Sequence, residues 1–435
     1  MILLLKNGHI IDPTIGRDEM ADIFIVEGVI DQIGKKIGTG VAADVFDLNG
    51  KIVAPGFIDM HVHAREPGFE HKETIATVAA AAAAGGFTAI CCMPNTNPPI
   101  DDASVVEYIQ KKVSNIERNV VDVYPVGAVT KDREGKELSP MAELAQAGVV
   151  GFSDDGSPVA QAEIMRRALE YSSMLNKPII QHAEDLSMTR GGAMNEGITS
   201  TRLGLPSMAS VAEEIIIARD LGLVEYLHPP LRTTNASVQY HVAHVSTRGA
   251  VELIRQAKNK GLPVTCEAAP HHFSLTEEAV RSFDTNTKMN PPLRTQDDVQ
   301  AVKEGLRDGT IDAIATDHAP HSFDEKQVEF IHAPFGIVGL ETSLGLAINE
   351  LLETNILSLA QLVEKFSVNP RKILHLNSVS IAEGQRANLT IFDPQLQWAV
   401  DIRKFRSKAK NSPFDGWQLK GKAFAVVNRG EIYLP

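Results

Sequence analysis

Cysteine is scarce in this sequence, with three in 435 residues. Cys91, Cys92 and Cys266 lie inside apolar segments and not at the spacing of a disulfide framework, as expected of small core residues in a reducing compartment. No apolar run approaches the roughly 20 residues that cross a bilayer. The first residues, MILLLKNGHI, have no basic region before them and predict a strand rather than a signal peptide. We therefore expect a cytoplasmic protein without a membrane partner.

An excess of positive charge is also absent, since the formal net charge is -13. This balance argues against a nucleic-acid partner, because binding to phosphates draws its affinity from clustered lysine and arginine. We interpret the one short basic run, Arg403 to Lys410, as a solvated surface segment. Acidity does not exclude an anionic small molecule, since a cation and a few arginines set the local field in a cleft.

The composition, 43% hydrophobic and 22% charged, is that of a globular protein. A chain of this length exceeds the roughly 250 to 300 residues of one core, so more than one structural unit is expected. Short β-type runs separated by Asn-Gly and Glu-Gly turns fill residues 1–50, and similar runs return after about residue 380. We predict a small discontinuous β domain, built from residues 1–54 and 371–435, around a central domain of residues 55–370.

The central region alternates apolar strand-like runs with helix-like segments. One such helix contains the alanines Ala79 to Ala84 and is closed by Gly85 and Gly86; another runs from Val251 to Lys260. Eight repeats predict an α/β fold, a (β/α)8 TIM-type barrel. The predicted strands are Ile52–Ile58, Phe87–Met93, Val120–Val126, Val149–Phe152, Pro178–Gln181, Gln239–Val245, Pro263–Ala268 and Ile311–Thr316.

Metal-binding residue types recur where these strands end. The motif H-V-H-A-R places His61 and His63 two residues apart, so that both can chelate one cation. In a parallel barrel the carboxyl ends of all strands meet at one rim, where catalytic residues gather. The other candidate ligands at this rim are Asp154 and Asp155, His182, His241 and His244, and Asp317.

Two choices within this set stay open on spacing alone. Asp154 and Asp155 point in opposite directions on an extended chain, so one is expected at the rim and the other in an acidic turn that caps the next helix. His241 and His244 lie on opposite faces of their strand, and we prefer His244 because it is nearer the carboxyl end.

Four imidazoles and several carboxylates exceed the needs of one tetrahedral zinc. They suit two cations about 3.5 to 4 Å apart with a bridging group, an arrangement that activates water at neutral pH. The expected reaction is hydrolysis of a carbonyl compound, or its reverse. Asp317 can also accept a proton and pass it to a leaving nitrogen.

Six motifs between His61 and Thr342 carry a specific resemblance. Together they resemble the class I (bacterial type) dihydroorotase family of the amidohydrolase superfamily. The motifs are HVHAREPG, MPNTNPP, GFSDDG, KMNPPLR, ATDHAPH and APFGIVGLET. This resemblance implies the reversible cyclisation of N-carbamoyl-L-aspartate to dihydroorotate in pyrimidine biosynthesis.

The same resemblance implies two Zn²⁺ ions per subunit, bridged by Asp155 and a hydroxide, with Asp317 as general base. Residues 149–160 contain no lysine, which disfavours relatives that use a carboxylated lysine at this place. The implied metal ligands are His61, His63, Asp155, His182, His244 and Asp317. The implied substrate contacts are His63, Arg65, Asn95, Asn290, His321, Phe335 and Gly336.

Physical chemistry agrees with an arginine among the substrate contacts. N-carbamoyl-aspartate carries two carboxylates, and Arg65 can hold one of them through two parallel hydrogen bonds. We interpret His271 and His272 as supporting residues, and one of His318 and His321 as a substrate contact.

Two segments are predicted as loops. Leu221 to Ser237 is interpreted as an extra loop before the sixth strand. Ser322 to Pro334 is long enough to fold over a bound substrate.

Two other functions compete with this interpretation. One is another cyclic amidase of the allantoinase or hydantoinase type. The other is a catalytically silent scaffold that docks against a transcarbamoylase, although the full set of ligands speaks against it. A homodimer and a transcarbamoylase partner are further expectations.

Overall fold

The computed structural model describes residues 2–38, 42–228 and 238–435 and has a mixed α/β fold. Among these residues no helix has the length and apolar character to cross a membrane. The strands, numbered in chain order, are β1 (Ile2–Asp12), β2 (Arg17–Val26), β3 (Val29–Gly34), β4 (Asp44–Asp47), β5 (Ile52–Pro55), β6 (Phe57–Val62), β7 (Phe87–Cys92), β8 (Asp122–Pro125), β9 (Ile179–Gln181), β10 (Met194–Asn195), β11 (Ser207–Met208), β12 (Tyr240–Val242), β13 (Val264–Ala268), β14 (Ala313–Ile314), β15 (Leu389–Ala399), β16 (Gln418–Asn428) and β17 (Glu431–Tyr433).

The helices alternate with the central strands. The α-helices are α1 (Ile75–Gly85), α2 (Ala103–Ser114), α3 (Met141–Ala147), α4 (Ala162–Met174), α5 (Leu186–Thr189), α6 (Ile198–Leu203), α7 (Val211–Leu227), α8 (Arg248–Asn259), α9 (Pro270–Ser274), α10 (Gln296–Asp308), α11 (Phe323–Lys326), α12 (Ser343–Ala347), α13 (Leu359–Val363) and α14 (Asn369–Ile373). Short 3-10 segments are Lys131–Arg133, Glu277–Ser282, Thr285–Thr287 and Ile402–Lys404, and π-helical turns follow α12 and α13 at Ile348–Leu352 and Glu364–Val368.

Strands from both ends of the chain pair in one sheet. Its order is β17-β16-β15-β5-β1-β2-β3, and β4 also pairs with β1. Alternate residues of these strands, including Leu3, Leu5, Ile23 and Leu389, form a separate buried cluster. Burial of such side chains contributes roughly 1.5 to 3 kcal/mol each, which holds the two distant segments together.

The central strands pair in parallel. One run joins β6, β7 and β8, and another joins β9, β12, β13 and β14. Phe152 forms parallel bridges to Gly127 and to Ile179, and His318 forms one to Val62. The order of pairing therefore passes from β6 through β14, and the segment that follows β14 returns to β6.

Alternation along these strands separates two faces. Ala89 and Cys91 of β7 pack in a small cluster with residues of the other parallel strands, such as Ala313. Ile90 and Cys92, which alternate with them, pack in the large cluster that contains the helices. The cysteines are free and buried, as expected of core residues.

The predicted strand Ile52–Ile58 is wrong as a single element, because the chain divides it at Gly56. β5 pairs antiparallel with β15 in the terminal sheet, whereas β6 pairs parallel with β7. A Cβ at Gly56 would lie 1.8 Å from Asn388 Oδ1 and 2.2 Å from Thr88 Oγ1, so only glycine fits this crossing. Both halves are fully buried and apolar, which is why the sequence pattern does not separate them.

The predicted loop Leu221–Ser237 is wrong over its first part. The helix α7 continues to Leu227 and buries Leu221 and Val224. Residues 229–237 lie outside the described part of the chain.

The predicted alanine helix is confirmed as α1. Thr74 and Thr77 form a capping box at its start, and Gly86 ends it with φ 95°. Four of its alanines are buried (Ala79, Ala81, Ala82 and Ala83). Small side chains allow this helix to lie close to β7, the strand that follows it in the chain.

Candidate metal centre

Four imidazoles and a carboxylate converge where the parallel strands end. His61, His63 and Asp155 form one group of potential ligands, and Asp155, His182 and His244 form a second. Within each group the ligand atoms lie within 4.8 Å of one another, and every member is buried. The structure therefore brings together five side chains that are separated by up to 183 positions in the sequence, from His61 to His244.

Asp155 lies between the four rings. Its Oδ1 is 3.3 Å from His61 Nε2, 3.7 Å from His182 Nδ1 and 3.6 Å from His244 Nε2. Its Oδ2 is 3.5 Å from His63 Nε2. One carboxylate oxygen thus faces both groups, which is the position that a bridging ligand requires.

Asp154 points away from this centre. Its carboxylate accepts hydrogen bonds from the backbone N–H groups of Val129 and Thr130 and from the Thr130 hydroxyl. The prediction that one of the two aspartates caps the next helix is wrong, since α4 begins after Gln161 without a side-chain cap. The amides of the 129–130 turn attract the carboxylate instead, and burial raises the pKa of Asp154 to about 6 despite these bonds.

Asp317 completes the cluster on the side of His63. Its Oδ1 lies 2.9 Å from His63 Nε2 and 3.6 Å from His61 Nε2. Burial opposes ionisation of Asp317, but the two imidazoles outweigh it and hold its pKa below the ordinary value. The group is therefore a carboxylate at neutral pH.

Three residues of the site have left-handed backbone conformations. The φ angles are 63° at Arg65, 33° at His244 and 48° at Asp317. Such a conformation in a residue other than glycine costs about 1 to 3 kcal/mol and persists only when the surrounding structure enforces it. The rest of the fold therefore offsets this free-energy cost, and the three side chains point toward the cluster.

Two further carboxylates lie behind the imidazoles. Glu267 Oε1 is 2.7 Å from His61 Nδ1, and Glu184 Oε2 is 2.8 Å from His182 Nε2. Both glutamates are buried. Each accepts the N–H of one ring nitrogen, which leaves the other nitrogen of that ring as a lone pair facing Asp155.

Neither glutamate was predicted from the sequence. A signal for Glu267 exists, because it is an acid inside an otherwise apolar strand, where a charge needs a partner. For Glu267, burial opposes ionisation, but His61 and His241 lower its pKa to about 2. For Glu184, burial also opposes ionisation, and His182 lowers its pKa to about 2.

The geometry distinguishes the two histidines of the sixth predicted strand. His244 Nε2 lies 2.9 Å from His182 Nδ1, inside the second group. His241 is outside both groups: its Nδ1 is 2.8 Å from Thr265 Oγ1 and its Nε2 is 3.3 Å from Glu267 Oε2. The arrangement favours His244 as the ligand and gives His241 a contact with the carboxylate behind His61.

The donor set fits divalent cations. Among the described residues, His61 Nε2 and Asp155 Oδ1 are buried without a hydrogen-bond partner, although both face the centre. Orphaned buried polar atoms are costly unless a ligand satisfies them. Imidazole nitrogens with carboxylate oxygens are the ligands that zinc prefers in catalytic sites.

Arg65 and Asn95, both predicted substrate contacts, border the cluster and are half-buried. Arg65 Nε donates to Pro320 O at 3.1 Å, which orients the guanidinium. Burial lowers the pKa of Arg65 to about 10, so it stays protonated. Asn95 Oδ1 lies 2.8 Å from His63 Nδ1 and therefore also orients a predicted ligand, as the glutamates do for the other rings.

Asn290 lies on the opposite side of the cluster. Its Nδ2 donates to Glu184 Oε2 at 2.9 Å, on the same oxygen that contacts His182. A predicted substrate contact and a predicted metal ligand therefore share one carboxylate.

His321, Phe335 and Gly336 meet near Arg65. His321 Nε2 donates to Phe335 O at 2.8 Å, so Nδ1 is the unprotonated nitrogen of the ring and faces Lys72 Nζ at 3.4 Å. Burial, together with Arg65, lowers the pKa of His321 to about 2. Gly336 has φ 146°, and a Cβ there would lie 2.7 Å from Ala319 O.

The remaining histidines near the rim lie outside both ligand groups. His272 Nε2 donates to Pro291 O at 3.0 Å, which holds the segment that contains Asn290. His318 Nδ1 accepts from Gly339 N at 3.2 Å, and its Nε2 lies 3.6 Å from Glu73 Oε2. These contacts are structural, and His321, not His318, is the ring near Arg65.

Comparison with known proteins places the chain in a family. Residues 50–250 match the family model described as dihydro-orotase-like. The dihydroorotase of Geobacter metallireducens is 50% identical over 434 residues, which cover 100% of both chains. The dihydroorotase of Acetivibrio thermocellus is 49% identical over 430 residues, 99% of this chain and 98% of the relative.

Solved structures give the same result for the fold. The L-hydantoinase (dihydropyrimidinase) from Arthrobacter aurescens superposes with a TM-score of 0.85 at 26% identity, over 99% of this chain and 96% of the other. The dihydropyrimidinase from Brevibacillus agri NCHU1002 has a TM-score of 0.84 at 22% identity, over 100% and 95%, and supports the fold alone. With near-complete coverage at half identity, the chain belongs to the dihydroorotase family.

Proposed function

We propose that the protein is a dihydroorotase, a hydrolase of cyclic amides that reversibly closes N-carbamoyl-L-aspartate to (S)-dihydroorotate. The observation that carries this proposal is the centre built around Asp155, whose carboxylate faces four imidazoles at 3.3 to 3.7 Å. The full-length relatives named dihydroorotase support the choice of substrate.

We further propose zinc as the metal and two ions per subunit. In that arrangement the ligands would be His61, His63 and Asp317 for one ion and His182 and His244 for the other, with Asp155 shared. When bound, such ions polarise the reacting carbonyl and lower the pKa of water to near neutrality. Glu267 and Glu184 accept from His61 Nδ1 and His182 Nε2. The other nitrogen of each ring therefore keeps its lone pair and faces the shared carboxylate.

Asp317 is proposed as the general base. Its lowered pKa keeps it ionised, so it can accept the proton of the water that attacks the ring carbonyl. It then returns this proton to the ring nitrogen as the C–N bond breaks. In the direction of ring closure, the same carboxylate takes the proton from the carbamoyl nitrogen.

The substrate carboxylate is proposed to bind Arg65. The guanidinium is held from behind by Pro320 O, and its Nη2 lies 3.5 Å from His321 Nε2. The Nη groups are proposed to form a bidentate contact beside that ring. Asn95 and Asn290 would add amide donors. His63, His321 and the backbone of Phe335 and Gly336 complete the proposed contacts.

For the architecture, we propose that the cyclic parallel pairing forms a (β/α)8 barrel of residues 55–370. Residues 1–54 and 371–435 are proposed as one β domain, supported by the shared terminal sheet. The absence of lysine from residues 149–160 supports the aspartate-bridged class I subtype. A homodimer and a transcarbamoylase partner stay predictions, which light scattering and co-purification would test.

A hydantoinase-type activity is the second candidate, favoured by the superposition on the L-hydantoinase. Initial rates of the purified protein on dihydroorotate, hydantoin, dihydrouracil and allantoin separate the two. We expect turnover of dihydroorotate at least about 100-fold above the others, with two metal ions per chain by elemental analysis. Faster turnover of hydantoin or dihydrouracil would reject the assignment, and an inactive, metal-free folded protein would point to a scaffold.

A further inference from the structure

Arg371 is a buried cation without a counter-ion. Its exposed fraction is 5%. Its guanidinium has two neutral contacts: Nη2 donates to Gly56 O at a long 3.5 Å, and the Tyr124 side chain is a hydrogen-bond partner in the cavity wall. Its Nε has no partner. Among the described residues, no carboxylate lies within 4.0 Å of this guanidinium, whereas other arginines, such as Arg219 and Arg294, form ion pairs.

This situation is energetically unusual. A guanidinium cannot lose its proton at physiological pH, so burial cannot neutralise it. An unpaired buried charge is strongly unfavourable, and native structures normally provide a partner for it. The missing partner is therefore expected to come from outside the chain.

A cavity of about 730 Å³ adjoins Arg371. Its wall includes Asp122, the first residue of β8, and Asn388, which contacts Gly56 at the start of β6. The cavity thus lies at the amino ends of the parallel strands, whereas the candidate metal centre lies at their carboxyl ends.

Two more arginines line the same cavity. Arg386 is exposed and, among the described residues, forms no side-chain ion pair or hydrogen bond. Arg429 Nε is 3.9 Å from Asp122 Oδ1, and Asp122 also accepts from Asn428 Nδ2 at 3.0 Å. Glu27 is the other acid in the wall. Three cations against two carboxylates leave a positive excess, in a chain whose net charge is -13.

The lining also offers neutral donors and a small apolar surface. Asn377, Ser378, Ser380 and Gln385 can donate hydrogen bonds, while Val29 and Val379 supply apolar contacts. The volume exceeds that of a bare inorganic anion and falls in the range of small-molecule sites.

We propose that this cavity binds a small organic oxyanion, whose phosphate or carboxylate head pairs with Arg371 and Arg386. Guanidinium groups bind both head groups through parallel hydrogen bonds. The site is distinct from the catalytic centre, and its existence does not depend on the reaction assigned above.

Inorganic phosphate and succinate, titrated into the full-length protein by calorimetry at constant ionic strength set with NaCl, test the proposal and distinguish the two head groups. We expect saturable binding of at least one of them, and a rise in the melting temperature of about 2 °C at saturation. Binding of neither anion by the unmodified protein would overturn the proposal.

Arg371→Met separates a ligand site from a structural arginine. For a ligand site, the variant melts at or above the unmodified protein in anion-free buffer, because an unpaired charge is removed, and it loses the anion-dependent shift. A lower melting temperature with the shift retained would overturn the proposal. Because Arg371 lies far from the metal centre, loss of the anion-dependent shift in this variant also shows that the shift does not come from anions bound at the metal centre.

Arg386→Gln provides a second test of anion binding in case Arg371→Met folds poorly. Arg386 is exposed, so its loss should spare the fold and weaken anion binding about twofold to fivefold. The matched control is Arg307→Gln on α10, whose side chain is 59% exposed and pairs with Glu304 outside the cavity. Equal affinities in Arg386→Gln and Arg307→Gln would contradict the assigned contacts.

Discussion

The two ends of the parallel strands treat buried charge in opposite ways. At the carboxyl ends, the charged groups of the candidate metal centre contact one another: Asp155 faces four imidazoles, and Glu267 and Glu184 contact two of these rings from behind. At the amino ends, Arg371 is equally buried and has no charged neighbour within ion-pair distance among the described residues. A buried charge therefore indicates function only when one knows which groups neutralise it, or that no group in the structure does so.

Lys326 extends the comparison. It is buried in the segment 322–334, near the carboxyl ends, with an exposed fraction of 3%. Its Nζ donates to Thr285 O at 3.0 Å and to Pro334 O at 2.8 Å. Burial, with Lys288 nearby, lowers its pKa to about 7. Lysine can escape the cost of burial by losing a proton, and Arg371 cannot.

The largest expected effect is at the proposed general base. Asp317→Asn removes the proton acceptor and should lower kcat for dihydroorotate by about 10² to 10⁴. Because Asp317 also lies in the metal cluster, metal content is measured on the same sample. The control is Asp297→Asn, whose side chain is 81% exposed and which should behave as the unmodified protein. A retained metal content with less than tenfold loss would remove Asp317 from the mechanism.

Lys326 predicts a pH dependence of stability. The unfolded lysine titrates near its ordinary value of 10.5 and the folded one near 7, so between these values the unfolded chain binds more protons. Stability therefore rises with pH over this window, by about 5 kcal/mol for this group across the whole window and by about 3 kcal/mol up to pH 9.5. Below pH 7 both states are protonated and the contribution is constant.

Unfolding free energies from denaturant titrations at pH 6.5 and 9.5 measure this effect as a difference between proteins. Lys326→Met should show a smaller rise than the unmodified protein, the remainder coming from Lys288, whose pKa burial lowers to about 8. Lys136→Met, at a side chain that is 71% exposed, should retain the full rise. An identical pH profile in Lys326→Met would show that the lysine is charged in the folded state.

The sequence predicts which strand ends carry the candidate ligands, and position along the strand favours His244 over His241, but spacing leaves Asp154 and Asp155 undecided. The ligand positions follow from two general rules, parallel strand pairing and the gathering of polar groups at carboxyl ends. The choice of Asp155 over Asp154 depends on the turn after Phe152 and on amides at 129–130, which no periodicity encodes. The division at Gly56 is equally hidden, because both flanking segments are buried and apolar.

Glu267→Gln tests whether the charged contacts at the carboxyl ends of the strands support metal binding. The amide can no longer hold the His61 ring with a charged acceptor, so affinity for the metal should fall about 10- to 100-fold. Competition against a chromophoric chelator measures it, and added zinc should restore activity. Glu252→Gln on α8, at a side chain that is 51% exposed, is the matched control. Unchanged metal affinity in Glu267→Gln would limit this residue to a role in core stability.

The smallest expected effect is at His241, which contacts Glu267, the carboxylate behind His61. Within the described part of the chain, His241 contacts the cluster through Glu267, to which its Nε2 lies at 3.3 Å, so His241→Gln should weaken metal binding about threefold or less. His244→Gln, which removes a nitrogen 2.9 Å from His182 Nδ1, should lose one of two ions. Because both histidines are buried on the same strand segment, the pair controls for the cost of the substitution itself. If His241→Gln lost a whole ion and His244→Gln did not, the ligand assignment at this strand would be reversed.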